Sequence, residues 1–228
     1  MDASKITRQQ IASMIDHTCL KADALPSDIE KLCAEAVNHN FAAVCVHPAQ
    51  VQRCVALIPS QQVKVGAAIG FPMGQNTSAV KEFETKDAID LGAREIDMVI
   101  NVAAMKAGDI DVVRREIAQV AKVCKAHDVT SKVILETCFL TDDEKILACQ
   151  IAREEEMDFV KTSTGLATGG ATIADIQLMR NTVGPGMGVK ASGGIRTLET
   201  ALAMIAAGAS RLGTSSGIAI INEIQDCS

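Results

Sequence analysis

The chain has 228 residues, a formal net charge of −6 and 48% hydrophobic residues, and it contains neither tryptophan nor tyrosine. This length allows one domain with a full core, while the acidic charge and the scarcity of aromatic rings argue against nucleic-acid partners. No segment approaches the ~18 consecutive apolar residues that a membrane span needs.

Short apolar runs alternate with amphipathic segments along the whole chain, and eight of these runs are predicted strands. The predicted strands cover residues 14–17, 42–47, 63–71, 95–101, 132–137, 159–162, 188–191 and 211–213. Each interval between them has room for one helix and two short loops, which is the repeating unit of a parallel sheet.

Amphipathic stripes and end signals predict helices between the strands, at residues 26–39, 77–91, 110–127, 141–156 and 197–207. Thr141, for example, is followed by three acidic residues, an N-cap and first turn that suit the helix dipole. A further helix around residues 7–13 precedes the first strand.

The pattern of strands and helices favours a single (β/α)8 (TIM) barrel with an extra N-terminal helix, in one domain over residues 1–228. An open doubly wound sheet is the alternative, although no GxGxxG follows the first strand.

The eight cysteines are scattered, include no CxxC pair, and in several cases lie in apolar runs. The N-terminal segment also lacks the apolar stretch of a secretory signal. We therefore expect buried, reduced thiols in a cytoplasmic protein. The four histidines are scattered as well, so we expect no metal site.

Two lysines end adjacent predicted strands beside glycine-rich loops, Lys161 in FVKTSTG and Lys190 in GVKASGG. In a barrel, the carboxyl ends of the strands carry the reactive groups. If both side chains point inward, burial and the neighbouring positive charge favour the neutral amine. A neutral amine attacks carbonyl carbons and forms Schiff bases. The alternative is that both amines reach solvent from the strand ends.

Several other polar residues lie in or at the ends of predicted strands. Asp97 interrupts an apolar strand, where a carboxylate is costly unless it is paired or functional. It could transfer protons to and from a lysine adduct, or it could satisfy hydrogen bonds inside the barrel. Asp16 could pair with a lysine, and His17 could be a general base, although a strand-end histidine is more often structural. Asn101 and Glu136 also end strands, without a decisive signal.

Glycine-rich loops follow the last two predicted strands, SGG at 192–194 and GTSSG at 213–217. Barrels that hold phosphorylated substrates often use these two loops, whose backbone N–H groups bind the phosphate. The candidate phosphate-binding residues are Thr164, Gly165, Gly193, Gly194, Ser215 and Ser216.

Eight segments, taken in order, resemble the deoxyribose-phosphate aldolases, in their short bacterial form. They are IDHT at 15–18, VCVHP at 44–48, IGFPMG at 69–74, EIDMVIN at 95–101, KVILET at 132–137, VKTSTG at 160–165, VKASGGIR at 189–196 and GTSSG at 213–217. The resemblance covers nearly the whole chain. It implies reversible cleavage of 2-deoxy-D-ribose 5-phosphate to D-glyceraldehyde 3-phosphate and acetaldehyde, with no metal or organic cofactor. The implied partners are this phosphosugar and acetaldehyde. A homodimer or homotetramer is also expected, since barrels of this kind often dimerise through their helices, although the sequence carries no interface signature.

Matched position by position, the resemblance also implies roles for single residues. Lys161 matches the Schiff-base lysine, and Lys190 matches a second lysine that perturbs the first and joins proton transfer. Asp97 matches the proton donor and acceptor, and Asp16 would support Lys190.

The chain departs from the pattern of some family members at two positions. Those members have a lysine directly after STG and a C-terminal tyrosine, whereas here Leu166 follows Gly165 and tyrosine is absent. Weaker phosphate binding is therefore expected.

Two other functions remain open from the residues alone. One is a different phosphosugar barrel enzyme, either another class I aldolase or an isomerase that uses lysine only electrostatically. The other is a non-catalytic barrel that binds a phosphosugar.

Overall fold

The computed structural model describes residues 7–59 and 62–224. Its eight strands are β1 Ile15–Thr18, β2 Ala43–Val46, β3 Lys64–Ile69, β4 Glu95–Val99, β5 Thr130–Ile134, β6 Phe159–Lys161, β7 Gly188–Ser192 and β8 Arg211–Thr214. All neighbouring strands pair in parallel, and β1 also pairs with β8, so that the sheet closes into a barrel. The predicted (β/α)8 barrel is confirmed, and the open-sheet alternative is excluded.

Helices follow the strands around the outside of the barrel. They are α1 Arg8–Ala12, α2 Pro26–Asn38, α3 Val51–Leu57, α4 Ser78–Asp90, α5 Val102–Ala107, α6 Ile110–Ala126, α7 Asp142–Glu154, α8 Ile173–Val183, α9 Leu198–Ala206 and α10 Gly217–Asn222. The end signals act as expected at α7, where Thr141 and Glu144 form a reciprocal capping box. The extra N-terminal helix is present as α1, and Arg8 in it donates to Asn222 of α10 at 2.8 Å.

The alternation of side chains along each strand separates an apolar layer from a charged barrel interior. Val160 and Val189 face outward and belong to the aliphatic core between the sheet and the helices. The next residues along these strands, Lys161 and Lys190, are buried on the opposite face. Because the period of a strand is two, the lysines must point into the barrel if the valines pack against helices.

The third, fourth and fifth strands end two or three residues earlier than the apolar pattern predicts. The fifth strand was predicted at 132–137 but is Thr130–Ile134. It ends before Glu136, which has a left-handed backbone with φ of 56°. The fourth strand ends before Asn101, which instead caps α5 by accepting a hydrogen bond from the N–H of Ala104 at 3.0 Å. The side chain of Asn101 is therefore occupied by its own helix.

In the part of the chain that the structure describes, no helix has both the length and the apolar character needed to cross a membrane. The seven cysteines of this part are all free thiols, and Cys227 lies outside the described residues.

Candidate active site

A charged network fills the barrel interior around Asp97 of β4. One carboxylate oxygen of Asp97, Oδ2, accepts hydrogen bonds from Nζ of Lys161 and of Lys190, each at 2.7 Å. The other oxygen, Oδ1, accepts one from Nζ of Lys132 at 2.8 Å. Asp97 therefore contacts three ammonium groups that come from β5, β6 and β7.

Strand register explains why these side chains meet. Lys161 and Lys190 are direct partners across β6 and β7, so they point to the same face of the sheet. Asp97 and Lys132 are direct partners across β4 and β5. Closure of the barrel brings these two pairs into contact in its interior. In the sequence, each member of one pair lies at least 29 positions from each member of the other.

Two more carboxylates and an arginine extend the network. Asp16 accepts hydrogen bonds from Lys190 and from Nη1 of Arg211, the latter at 2.5 Å. Glu95 accepts from Nζ of Lys132 at 2.5 Å and from Nη2 of Arg211 at 3.1 Å. With every group ionised, four cations face three carboxylates, which leaves one excess positive charge in a low-dielectric interior.

Lys132, Glu95 and Arg211 belong to this network but were not predicted from the sequence. Lys132 was placed at the first position of its predicted strand, far from the barrel mouth, whereas it lies in the middle of β5. Glu95 lies two residues before Asp97 in the same strand, and this spacing puts both carboxylates on one face. That signal was available. Arg211 begins β8 and carried no signal of its own.

The charges of the network dominate the pKa of Asp97. Burial alone would raise this pKa, because water no longer solvates the carboxylate. The ammonium groups of Lys132, Lys161 and Lys190 outweigh burial and hold the pKa of Asp97 well below its ordinary value. Asp97 is therefore a carboxylate at neutral pH.

Lys190 corrects one expectation, namely that burial would leave this amine neutral. Burial does lower the pKa of Lys190, but the carboxylates of Asp16 and Asp97 reverse the effect, and the pKa is raised. The same contacts act on Asp16. Burial raises its pKa, but Lys190 and Arg211 outweigh burial and lower the pKa to about 2. Lys190 is thus an ammonium group that two carboxylates hold in place.

A cavity of about 360 Å³ opens above this network at the carboxyl ends of the strands. Its wall includes Lys161 together with residues of the loops that follow β1, β6, β7 and β8. Lys132 and Lys190 are buried and do not line it. Lys161 is therefore the one of these three lysines whose side chain reaches the cavity.

The glycine-rich loops form another part of this wall, with Gly165, Gly193, Gly194 and Ser215 among its residues. Gly193 has a left-handed backbone with φ of 85°, and a Cβ atom there would lie 2.9 Å from Cα of Gly170. Only glycine suits both conditions. Within the described chain, the backbone N–H groups of Gly193, Gly194 and Ser215 have no hydrogen-bond acceptor, so an anion could bind them.

Two of the predicted phosphate-binding residues have other partners. The N–H of Ser216 donates to Oγ1 of Thr214 at 2.9 Å, and Ser216 does not line the cavity. Thr164 does line it, but its N–H and its hydroxyl both donate to Glu136. Burial raises the pKa of Glu136 more than these hydrogen bonds to Thr164 lower it. Thr164 and Glu136 therefore hold each other in the loop after β6.

The chain matches the family described as DeoC/LacD family aldolase over residues 10–223. It is 55% identical to the deoxyribose-phosphate aldolase of Bacteroides thetaiotaomicron, over 98% of this chain and 94% of the relative. It is 56% identical to that of Lysinibacillus sphaericus, over 94% of this chain and 96% of the relative. Among solved structures, it is similar to the tetrameric deoxyribose-phosphate aldolase of Aeropyrum pernix. The TM-score is 0.89 and the identity 33%, over 95% of this chain and 91% of the other.

Proposed function

The chain belongs to the DeoC/LacD family of aldolases, and from this membership we propose that it is a lyase acting on 2-deoxy-D-ribose 5-phosphate. It cleaves this sugar reversibly to D-glyceraldehyde 3-phosphate and acetaldehyde. The reacting amine is that of Lys161, which forms a Schiff base with the sugar carbonyl.

The observation that carries the assignment of Lys161 is its place on the cavity wall, above two other lysines that do not reach the cavity. Lys161 shares a single carboxylate oxygen of Asp97 with Lys190. Lys190 also pairs with Asp16, and Lys132 also pairs with Glu95, whereas Lys161 has no second carboxylate within ion-pair distance among the described residues. Lys161 is therefore the lysine of the three with the fewest ionic contacts, and we assign it as the nucleophile.

The proposed reaction begins when Nζ of Lys161 adds to the C1 carbonyl and forms a carbinolamine. Loss of water gives a protonated imine, which accepts the electron pair of the C2–C3 bond as that bond breaks. The C3 hydroxyl loses its proton and becomes the aldehyde of glyceraldehyde 3-phosphate. The enamine left on Lys161 takes a proton at C2, and hydrolysis then releases acetaldehyde and the free amine.

Asp97 and Lys190 carry the protons in this scheme. In the protonated imine, the nitrogen of Lys161 keeps one N–H instead of three, and Oδ2 of Asp97 can then exchange a proton with the reacting groups. Lys190 remains an ammonium group in contact with the same oxygen and can resupply the proton. Asp16 keeps Lys190 charged and in position.

The phosphate binds to the free N–H groups of Gly193, Gly194 and Ser215, at the edge of the cavity that contains Lys161. Arg196 is exposed on the same wall and supplies a positive charge. Leu166 lies on this wall where a lysine stands in some family members. We therefore propose a phosphate site that depends on backbone donors more than on side-chain charge.

Borohydride trapping tests the proposal. Protein incubated with acetaldehyde and reduced should carry one ethyl group on Lys161, which blocks trypsin at that residue. The adduct then appears on the peptide 154–180, whereas an adduct on Lys190 appears on 181–196. Lys161→Arg is the matched control that keeps the charge and has no nucleophilic amine.

The three candidate functions give different results in this experiment. The aldolase is supported by an adduct on 154–180 and by cleavage of the phosphosugar. An isomerase converts the sugar without an adduct, and a binding protein binds it without turnover. Folded protein that cleaves the sugar but yields no adduct would refute the Schiff-base mechanism.

We also propose that residues 1–228 form one domain of a cytoplasmic homodimer or homotetramer. The tetramer reported for the Aeropyrum pernix relative supports assembly. Exposed Val80 and Phe83 on α4 supply apolar surface that a second copy could cover. Light scattering measures the assembly state, and a monomer at micromolar concentration would contradict the proposal.

A further inference from the structure

His17 lies beside the phosphate loops proposed above. Among the described residues, no hydrogen bond or ion pair joins it to the interior lysines. It follows Asp16 in β1, so its side chain points away from the barrel interior, and it is 3% exposed. Its Nε2 atom lies 2.7 Å from Oε2 of Glu35 on α2. Its ring also packs edge-on against Phe41, with the ring centres 5.2 Å apart. The imidazole is therefore held firmly in one orientation.

The other ring nitrogen of His17, Nδ1, is buried and has no hydrogen-bond partner in the described part of the chain. A buried polar atom without a partner is uncommon and costs stability. In a neutral ring, the contact with a carboxylate assigns the proton to Nε2, so Nδ1 presents a lone pair that needs a donor.

The backbone against Nδ1 has the complementary deficiency. A Cβ atom on Gly217 would lie 3.1 Å from Nδ1, so the ring packs directly on this glycine. Gly217 begins α10, and its N–H has no acceptor within the residues described. His17 and Gly217 are therefore neighbours, one with a free acceptor and the other with a free donor, at the end of the loop that contains Ser215.

We propose that His17 is a positioning residue for phosphate binding, and that its Nδ1 accepts a hydrogen bond from the N–H of Gly217 when the phosphate ester binds. This inference rests on the proposed function, because it assumes that loop 213–217 binds the phosphate. The phosphate binds the free N–H of Ser215 in this loop, and the new hydrogen bond to His17 holds the loop in the phosphate-bound position. Glu35 orients the ring so that Nδ1 faces the backbone.

Two variants separate this role from a merely structural one. His17→Asn keeps a polar atom near the position of Nδ1 and loses the contact with Glu35. His17→Gln keeps a group that reaches Glu35 and loses the acceptor near Gly217. We expect His17→Gln to raise KM for 2-deoxyribose 5-phosphate about tenfold, the effect of one hydrogen bond, with a smaller change in kcat. His17→Asn should restore most of that affinity. For 2-deoxyribose, which has no phosphate, we expect either variant to change KM less than His17→Gln changes KM for the phosphate ester.

The opposite results would overturn the proposal. Equal effects on the phosphorylated and the unphosphorylated sugar, or a His17→Gln variant that behaves like the wild type while His17→Asn fails, would assign His17 to the structural contact with Glu35. Calorimetric binding of inorganic phosphate gives the same comparison without catalysis. It therefore still tests His17 if the wild type cleaves neither sugar and the proposed function fails.

A structure of the wild-type protein with inorganic phosphate tests the inference even if both variants misfold. The distance from Nδ1 of His17 to the nitrogen of Gly217 should then fall within about 3.2 Å. A phosphate bound at the loop with Nδ1 still unpaired would refute the proposal.

Discussion

Replacing Asp97 by asparagine removes the side chain that Lys132, Lys161 and Lys190 all contact. Asparagine has nearly the same shape, but it carries no charge and has one acceptor oxygen instead of two. Four cations would then face only Asp16 and Glu95. The excess positive charge of the barrel interior would rise from one to two.

The structure sets the size of two separate effects of Asp97→Asn. Removing one partner from a buried ion pair costs about 3–5 kcal/mol of unfolding free energy. Because a lysine can relieve part of the repulsion by losing its proton, we expect the lower end of that range, which a typical domain stability of roughly 5–15 kcal/mol tolerates. Loss of a positioned proton carrier should lower kcat by about 10²–10⁴-fold. The nucleophile itself remains.

Three measurements on Asp97→Asn check this reasoning. Urea unfolding gives the loss of stability, cleavage of the phosphosugar gives kcat, and borohydride trapping with acetaldehyde reports whether Lys161 still forms an imine. We expect trapping to persist while turnover collapses. Asp90→Asn, an exposed change on α4, is the matched control and should leave all three measurements unaffected. Turnover of Asp97→Asn within about threefold of wild type would refute a proton-transfer role for Asp97.

Three further predictions follow from single contacts. Asp16 has a folded-state pKa of about 2, below its ordinary value of 3.8, so its contribution to stability is present above about pH 4 and is lost as pH falls toward 2. Asp16→Asn should flatten the acid slope of urea stability in that window, and an unchanged slope would contradict the assigned pKa. Gly193→Ala should raise KM for the phosphate ester and cost about 1–3 kcal/mol, because its Cβ would crowd Gly170 at a left-handed φ. An unchanged KM would remove this loop from the phosphate site. Leu166→Lys adds a cation on the cavity wall at a residue that is 60% exposed, and should lower KM at low salt but not at high salt. A KM that ignores salt would place position 166 away from the phosphate.

The fold was largely predictable because it depends on local patterns. Apolar runs spaced by helix-sized intervals give eight βα units, and the structure contains all eight in a closed barrel. Strand ends were less predictable. The apolar pattern of the fifth strand continues through Leu135, but the left-handed backbone at Glu136 ends the pairing earlier. The strand also begins two residues earlier than predicted, and this shift concealed the position of Lys132 in the middle of β5.

The state of the interior charges depends on contacts between distant strands, which no local pattern records. A lysine in an apolar run predicts a neutral amine, and this was wrong for Lys190 because Asp16 contacts it from β1, 174 residues away in the chain. The unpaired nitrogen of His17 could not be anticipated either. It depends on how β1 packs against the beginning of α10.

The sequence by itself determined the order of the elements, the faces of β4, β6 and β7 that carry Asp97, Lys161 and Lys190, and the glycines that shape the loops. These features follow from strand periodicity and from backbone conformations that only glycine readily adopts. The tertiary structure alone decided that one carboxylate contacts three lysines and that Lys161 is the lysine of the three that lines the cavity. The physical reason is that Coulomb energy and burial depend on distances across the closed barrel, which exist only once β8 has paired with β1.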